Sequence, residues 1–133
     1  MILQLEEDYV KGKMTEDEHF IFLKEYYNEP TLKQNKRYST FDFNSENITI
    51  ELKKRNFEST KYKDLMIGLN KIEKAQKANK DIYFVMVLDD GIFSYKYNKD
   101  DPLNYRSGGR RDRGFNEFKK YAYIPIDYFR KIK

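Results

Sequence analysis

The sequence predicts an α/β fold with a central mixed sheet of about four or five strands flanked by helices, and three stretches predict it. Tyr38 to Lys53 alternates apolar and polar residues on either side of the turn formers Asn44-Ser45-Glu46-Asn47, as two short strands joined by a turn do. Tyr62 to Ala78 places Tyr62, Leu65, Met66, Leu69 and Ile72 at helical spacing, with Ala75 closing the stripe, which predicts a helix with one buried face. Ile82 to Leu88 is nearly all apolar, and Asp89-Asp90-Gly91 returns it through the alternating run Ile92 to Tyr97. That pattern predicts a strand covered on both faces, followed by its hairpin partner.

Size and composition set the bounds. A chain of 133 residues, 39% hydrophobic and 17% aromatic, buries one core, so a single domain spanning 1–133 is expected. Cysteine is absent, which excludes a disulfide scaffold and a thiolate zinc site and fits a reducing interior. His19 is the sole histidine, which argues against histidine-based metal clusters. No apolar run approaches the roughly 18 residues of a membrane span, and the acidic start MILQLEEDYV is unlike a basic signal peptide. A soluble, intracellular protein of the cytoplasm or nucleus is expected. The net charge of +4 is spread unevenly, with acids such as Glu6, Glu7, Asp8, Glu16, Asp17 and Glu18 early and lysines and arginines from Lys53 onward. Such asymmetry points to a polyanionic partner or, for the helix lysines, to a solvated surface.

The first ten residues carry little pattern. Thr15 is a candidate N-cap with Glu18 at capping-box spacing, predicting a helix from there. Phe20, Leu23 and Tyr27 mark its buried face, and Glu16 projects onto that same face, where a carboxylate needs a partner or a task. An acid that complements the helix dipole is the other reading. His19, beside this face, reads as a packing residue. Asn28-Glu29-Pro30 ends the helix, because proline disfavours helical geometry in the residue before it.

The hairpin beyond carries the candidate chemistry. Period-2 geometry puts Ile48, Ile50 and Leu52 on one face and Thr49, Glu51 and Lys53 on the other. If the four turn residues close the hairpin, Asp42 faces Thr49 and is a diagonal neighbour of Glu51, at roughly 7 to 8 Å. Two carboxylates so placed suit a hard cation such as magnesium, which takes few protein carboxylates. Lys53 stands on the face of Glu51, ready to orient a water. Such a trio suits phosphodiester hydrolysis.

Asp42 followed one strand later by Glu51-Leu52-Lys53 resembles the signature of the PD-(D/E)XK nuclease superfamily, the restriction-endonuclease-like fold. Thr40-Phe41 stands before Asp42 in place of the proline in the name. The resemblance spans roughly Gly12 to Tyr97. It implies an endonuclease acting on DNA with Mg²⁺ or Mn²⁺ held by Asp42, Glu51 and the Leu52 carbonyl, Lys53 positioning the water, and Glu16, or failing it Glu18, completing the pocket. It also implies that the following helix offers a lysine to the site, for which Lys71 is the candidate, and that the chain forms a homodimer. A non-catalytic nucleic-acid-binding module that retains the fold is the competing class, and a protein-interaction domain a third.

Gly68 inside the predicted helix suggests a close backbone approach. After the polar loop Asn98–Asn104 comes Tyr105-Arg106-Ser107-Gly108-Gly109-Arg110-Arg111-Asp112-Arg113-Gly114-Phe115. Arginine forks among glycines match phosphates or guanine edges, so Arg106, Arg110, Arg111 and Arg113, with Arg55 and Lys71, are expected to contact nucleic acid; a flexible basic linker is the alternative. No P-loop or dinucleotide fingerprint is present, so no nucleotide cofactor is expected. Tyr121–Phe129 reads as a final strand that Pro125 stops or confines to an edge.

Overall fold

The computed structural model describes residues 2–108 and 119–133. Helix α1 (Ile2–Tyr26) leads into strands β1 (Lys33–Gln34), β2 (Phe43–Asn44), β3 (Ile48–Lys54) and β4 (Asp64–Gly68). Helix α2 (Leu69–Lys77) follows, then β5 (Asp81–Leu88), β6 (Gly91–Lys96), β7 (Asn104–Gly108), β8 (Lys119–Pro125), a 3₁₀ turn at Ile126–Tyr128 and β9 (Arg130–Lys131). The strands form a six-stranded mixed sheet in the order β1-β2-β3-β5-β6-β9 and a separate three-stranded sheet, β4-β8-β7. The fold is α/β as expected, with more strands than expected and in two sheets.

β3 and β5 pair in parallel, and a parallel pair needs a long crossover; β4 and α2 supply it. The central sheet is buried on both faces. Ile48, Ile50, Leu52, Val85, Val87 and Ile92 pack with Leu23 of α1, and Phe84, Met86 and Tyr95 pack with Ile72 of α2 and with Leu65, Ile67, Ala122 and Ile124 of the small sheet. Double coverage explains the apolar run of β5, and also why β6, expected to be half-exposed, has both faces buried from Ile92 to Tyr95.

Four local expectations are corrected. α1 does not begin at Thr15; it runs from Ile2, and the Thr15 hydroxyl donates to the Lys11 carbonyl one turn back. The helix expected over Tyr62–Ala78 is a strand followed by a helix. Leu65 and Ile67 are buried while Asp64, Met66 and Gly68 are less so, a period of two that the apolar Met66 and Leu69 obscure in the sequence. Gly68 accordingly caps the start of α2, and a Cβ there would come within 2.8 Å of the Asn70 side chain. Asn104–Gly108, expected as loop, pairs with β8. β8 itself is the central strand of its sheet, so Pro125 stops the strand without confining it to an edge.

The Asp89-Asp90 turn is as expected, with Leu88 opposite Gly91. Gly91 has φ of +151°, and a Cβ would meet the Lys133 carbonyl oxygen at 2.5 Å; only glycine suits that position. Asn28, with φ of 52°, ends α1 in the left-handed conformation that asparagine tolerates.

The β2–β3 turn is fastened to the end of α1. Ser45 Oγ donates to the buried Glu29 carboxylate at 2.6 Å and accepts the N–H groups of Asn47 and Ile48 at 3.2 and 3.0 Å. One hydroxyl thus closes the turn and docks it on the helix. Ser45→Ala leaves the Glu29 carboxylate and two amides short of a partner, and is expected to lower stability by about 1–3 kcal/mol in urea unfolding. Ile21→Ala, on the exposed side of α1, is expected to stay within about 0.5 kcal/mol.

Candidate active site

The register of the hairpin decides where its acids stand. Phe43 pairs with Ile50 and Asn44 with Thr49, two residues away from the expected pairing, because the loop itself is only Glu46-Asn47. Asp42 therefore lies level with Glu51, not diagonal to it. The ladder slips at this point: the Asp42 N–H donates to the Ile50 carbonyl at 3.0 Å, one residue out of step with its neighbours. β2 ends here, and Asp42 Oδ2 accepts the Leu52 N–H at 2.7 Å. A side-chain carboxylate thus takes the place of the missing strand as acceptor.

Glu51 is 1% exposed, and neither carboxylate oxygen has a hydrogen-bond donor. Lys53 Nζ and Lys71 Nζ each stand 3.4 Å from it, one at each oxygen. Burial pushes the Glu51 carboxyl up to about 7; Lys53 and Lys71 oppose the shift, and Asp42 adds to it. Lys71 is fixed from the other side by donating to the Thr40 carbonyl, and its ammonium lies over the Phe41 ring. α2 and the strand-leading segment Thr40–Asp42 therefore converge on one carboxylate.

Glu16 reaches the same place from α1. Its carboxyl is also raised to about 7, by burial first and then by Asp42, with Lys13 opposing and Glu51 and Asp17 adding. The nearby carboxylates raise the affinity of Glu16 for a proton by like-charge repulsion. Lys13 bonds the Gln34 side chain, and Gln34 donates to Asp17 at 3.0 Å, which ties this part of α1 to β1.

Glu16, Asp42, Glu51, Leu52, Lys53, Arg55 and Lys71 all line one cleft of about 1040 Å³. The expected cluster is thereby brought together. Arg106 is not among the residues lining that cleft; its guanidinium bonds Asp64 at 3.1 Å and lies 3.7 Å from the Tyr123 ring centre. Arg110, Arg111 and Arg113 lie outside the described residues. Glu18, the alternative to Glu16, faces His19 at 3.9 Å, and burial lowers the His19 pKa, in keeping with a packing role. The Thr40 carbonyl that anchors Lys71 leaves no local sequence signal, since 31 residues separate the two.

Among the described residues, no group of three or more acidic or histidine side chains is arranged to hold a metal ion. The donors on offer are the carboxylates of Asp42 and Glu51. Glu51, buried with neither oxygen hydrogen-bonded, fits a hard divalent cation, which takes one or two protein carboxylates and keeps several waters. No helix among the described residues is long and apolar enough to cross a membrane.

No curated protein and no solved structure matches the chain significantly. A family model described as "Phage putative PDDEXK endonuclease" matches residues 23–132. The match includes Asp42, Glu51, Leu52, Lys53 and Lys71, and it begins inside α1, downstream of Glu16. With the whole hairpin, the crossover and the second sheet inside the matched span, the chain belongs to the phage PDDEXK endonuclease family.

Proposed function

We propose that the chain is a metal-dependent DNA endonuclease whose cleft binds Mg²⁺ or Mn²⁺ through Asp42, Glu51 and the Leu52 carbonyl. The observation that carries this reading is the Glu51 carboxylate, buried without a hydrogen-bond donor beside a second acid and between two ammonium groups. The two ammonium groups offset the charge but hydrogen-bond neither oxygen, so the carboxylate keeps lone pairs for a coordinating cation. Bound at these carboxylates, a divalent ion lowers the pKa of the attacking water and neutralises charge growing on the phosphate.

The remaining residues have separable tasks. Lys53, partly open to the cleft, donates to the attacking water and holds it in line. Lys71, pinned by Thr40, faces Glu51 from α2 and keeps that carboxylate charged. Glu16, with its carboxyl poised near 7, takes up a proton from the water at its carboxylate oxygen. Arg55 and Lys71 in the cleft, together with Arg106, Arg110, Arg111 and Arg113, contact the DNA backbone. Residues 1–133 act as a single nuclease-like domain, and two copies pair to cut two strands.

Incubation with supercoiled, nicked, branched and single-stranded DNA tests the reading. Cleavage in Mg²⁺ that stops in chelator is expected, with Glu51→Gln and Lys53→Ala each slower by about 100-fold or more. DNA binding without cleavage would instead assign a non-catalytic module. Cleavage that survives chelator or Glu51→Gln contradicts the proposed site.

The raised carboxyls also set a pH dependence. A Glu51 pKa near 7, against an ordinary value of 4.5, means that the folded protein binds more protons than the unfolded chain between those values. Stability of the metal-free protein is therefore expected to fall as pH rises from about 4.5 to about 7, by on the order of 3 kcal/mol from Glu51, and to level off above. Glu51→Gln is expected to remove the Glu51 share of that slope in urea unfolding in chelator, leaving the share of Glu16, whose carboxyl is raised over the same window. An unchanged slope in the variant would show that Glu51 does not titrate in this window.

A further inference from the structure

Arg37 and Ser39 line the same cleft as the acidic cluster, and the residue between them has a different chemistry. Tyr38, in the segment between β1 and β2, is 90% exposed, an unusual position for so large a ring. It does not stand alone. The Arg37 guanidinium lies 5.4 Å from the Tyr38 ring centre and 4.0 Å from that of Tyr9 on α1. Glu6 holds the same guanidinium at 2.6 Å. Tyr9 and Arg37 both line the cleft, and the Ser39 N–H closes a turn onto the Lys36 carbonyl at 2.9 Å. The exposed ring therefore has a guanidinium beside it, and that guanidinium is itself held by Tyr9 and Glu6.

Charge decides what such a surface can take. Arg37 is neutralised by Glu6, so this patch offers no net attraction to a phosphate, and the acid beside it disfavours one. What it offers is flat, polarizable surface, to which any nucleobase can stack irrespective of sequence. Tyr38 is two residues from Thr40, whose carbonyl anchors Lys71 at the Glu51 carboxylate. A base stacked on Tyr38 thus belongs to a strand that runs along the same cleft as the acidic cluster, whose rim residues Arg37 and Ser39 flank Tyr38. In a fully paired duplex that base is already stacked and unavailable.

We propose that Tyr38, supported by Arg37 and Tyr9, is a stacking subsite for an unpaired nucleobase, so that the chain favours DNA that presents unpaired bases at the rim of the cleft. The inference rests on the cleft being a DNA site. Tyr9 and Glu6 lie ahead of the span matched by the family model.

Binding is measured in chelator, where no cutting occurs, to two labelled DNAs of equal length, one fully paired and one with a single-stranded overhang carrying 2-aminopurine. Tyr38→Ala is expected to weaken overhang binding by about 10-fold and duplex binding less than about 2-fold, and to abolish the quenching of 2-aminopurine seen with the wild-type protein. Tyr38→Phe keeps the ring and is expected to behave as wild type. Equal loss on both DNAs, or no loss on either, overturns the subsite, and if the wild-type protein still cuts DNA the nuclease reading survives. Failure of the wild-type protein to bind either DNA overturns both.

Discussion

The structure turns on a carboxylate that is out of water and without a hydrogen-bond donor. Glu51 sits in the middle of β3, a strand buried on both faces from Ile48 to Leu52, at a position where an apolar side chain would suit the packing. An isolated buried carboxylate is among the costliest groups a protein can carry. The fold answers by bringing a lysine from its own strand and another from α2 to the two oxygens, and by leaving the pocket open toward Asp42 and Glu16. Sites that depart from the rules of stable packing are where function concentrates.

The remainder of the architecture makes that placement possible. The parallel pairing of β3 with β5 requires a crossover, and the crossover delivers α2 with Lys71. β2 is short, so the Leu52 N–H lacks a strand partner and recruits Asp42, which fixes that acid level with Glu51. Ser45 and Glu29 dock the turn on α1, and the Lys13, Gln34 and Asp17 contacts tie α1 to β1, which brings Glu16 within electrostatic reach of both acids. Each device is local, and each sets the position of one functional group.

Much of this was legible in the sequence. The period-2 pattern through Ile48, Ile50 and Leu52 assigned the faces of β3, and the acid-x-lysine spacing picked out Glu51 and Lys53. The resemblance built on those residues also named Glu16, Asp42 and Lys71, and all five line one cleft. The hairpin register was misjudged because Asn44 and Ser45 are turn formers by type yet belong to the ladder and its closing bond. β4 was hidden because Leu65, Met66 and Leu69 satisfy a helical period as well as a strand's, and tertiary pairing with β8 decides between them. The extent of α1 was missed because its first half is exposed and so carries no apolar stripe. Long-range anchors such as Thr40 to Lys71 and Glu6 to Arg37 leave no local signal at all.

The most direct test of the central claim is calorimetric titration of the metal-free protein with Mn²⁺, which reads the carboxylate pair without relying on catalysis. Saturable binding in the wild-type protein that disappears in both Asp42→Ala and Glu51→Ala is the predicted result. Binding that persists undiminished in those variants, or its absence from a folded wild-type protein, would contradict a cation site at Glu51.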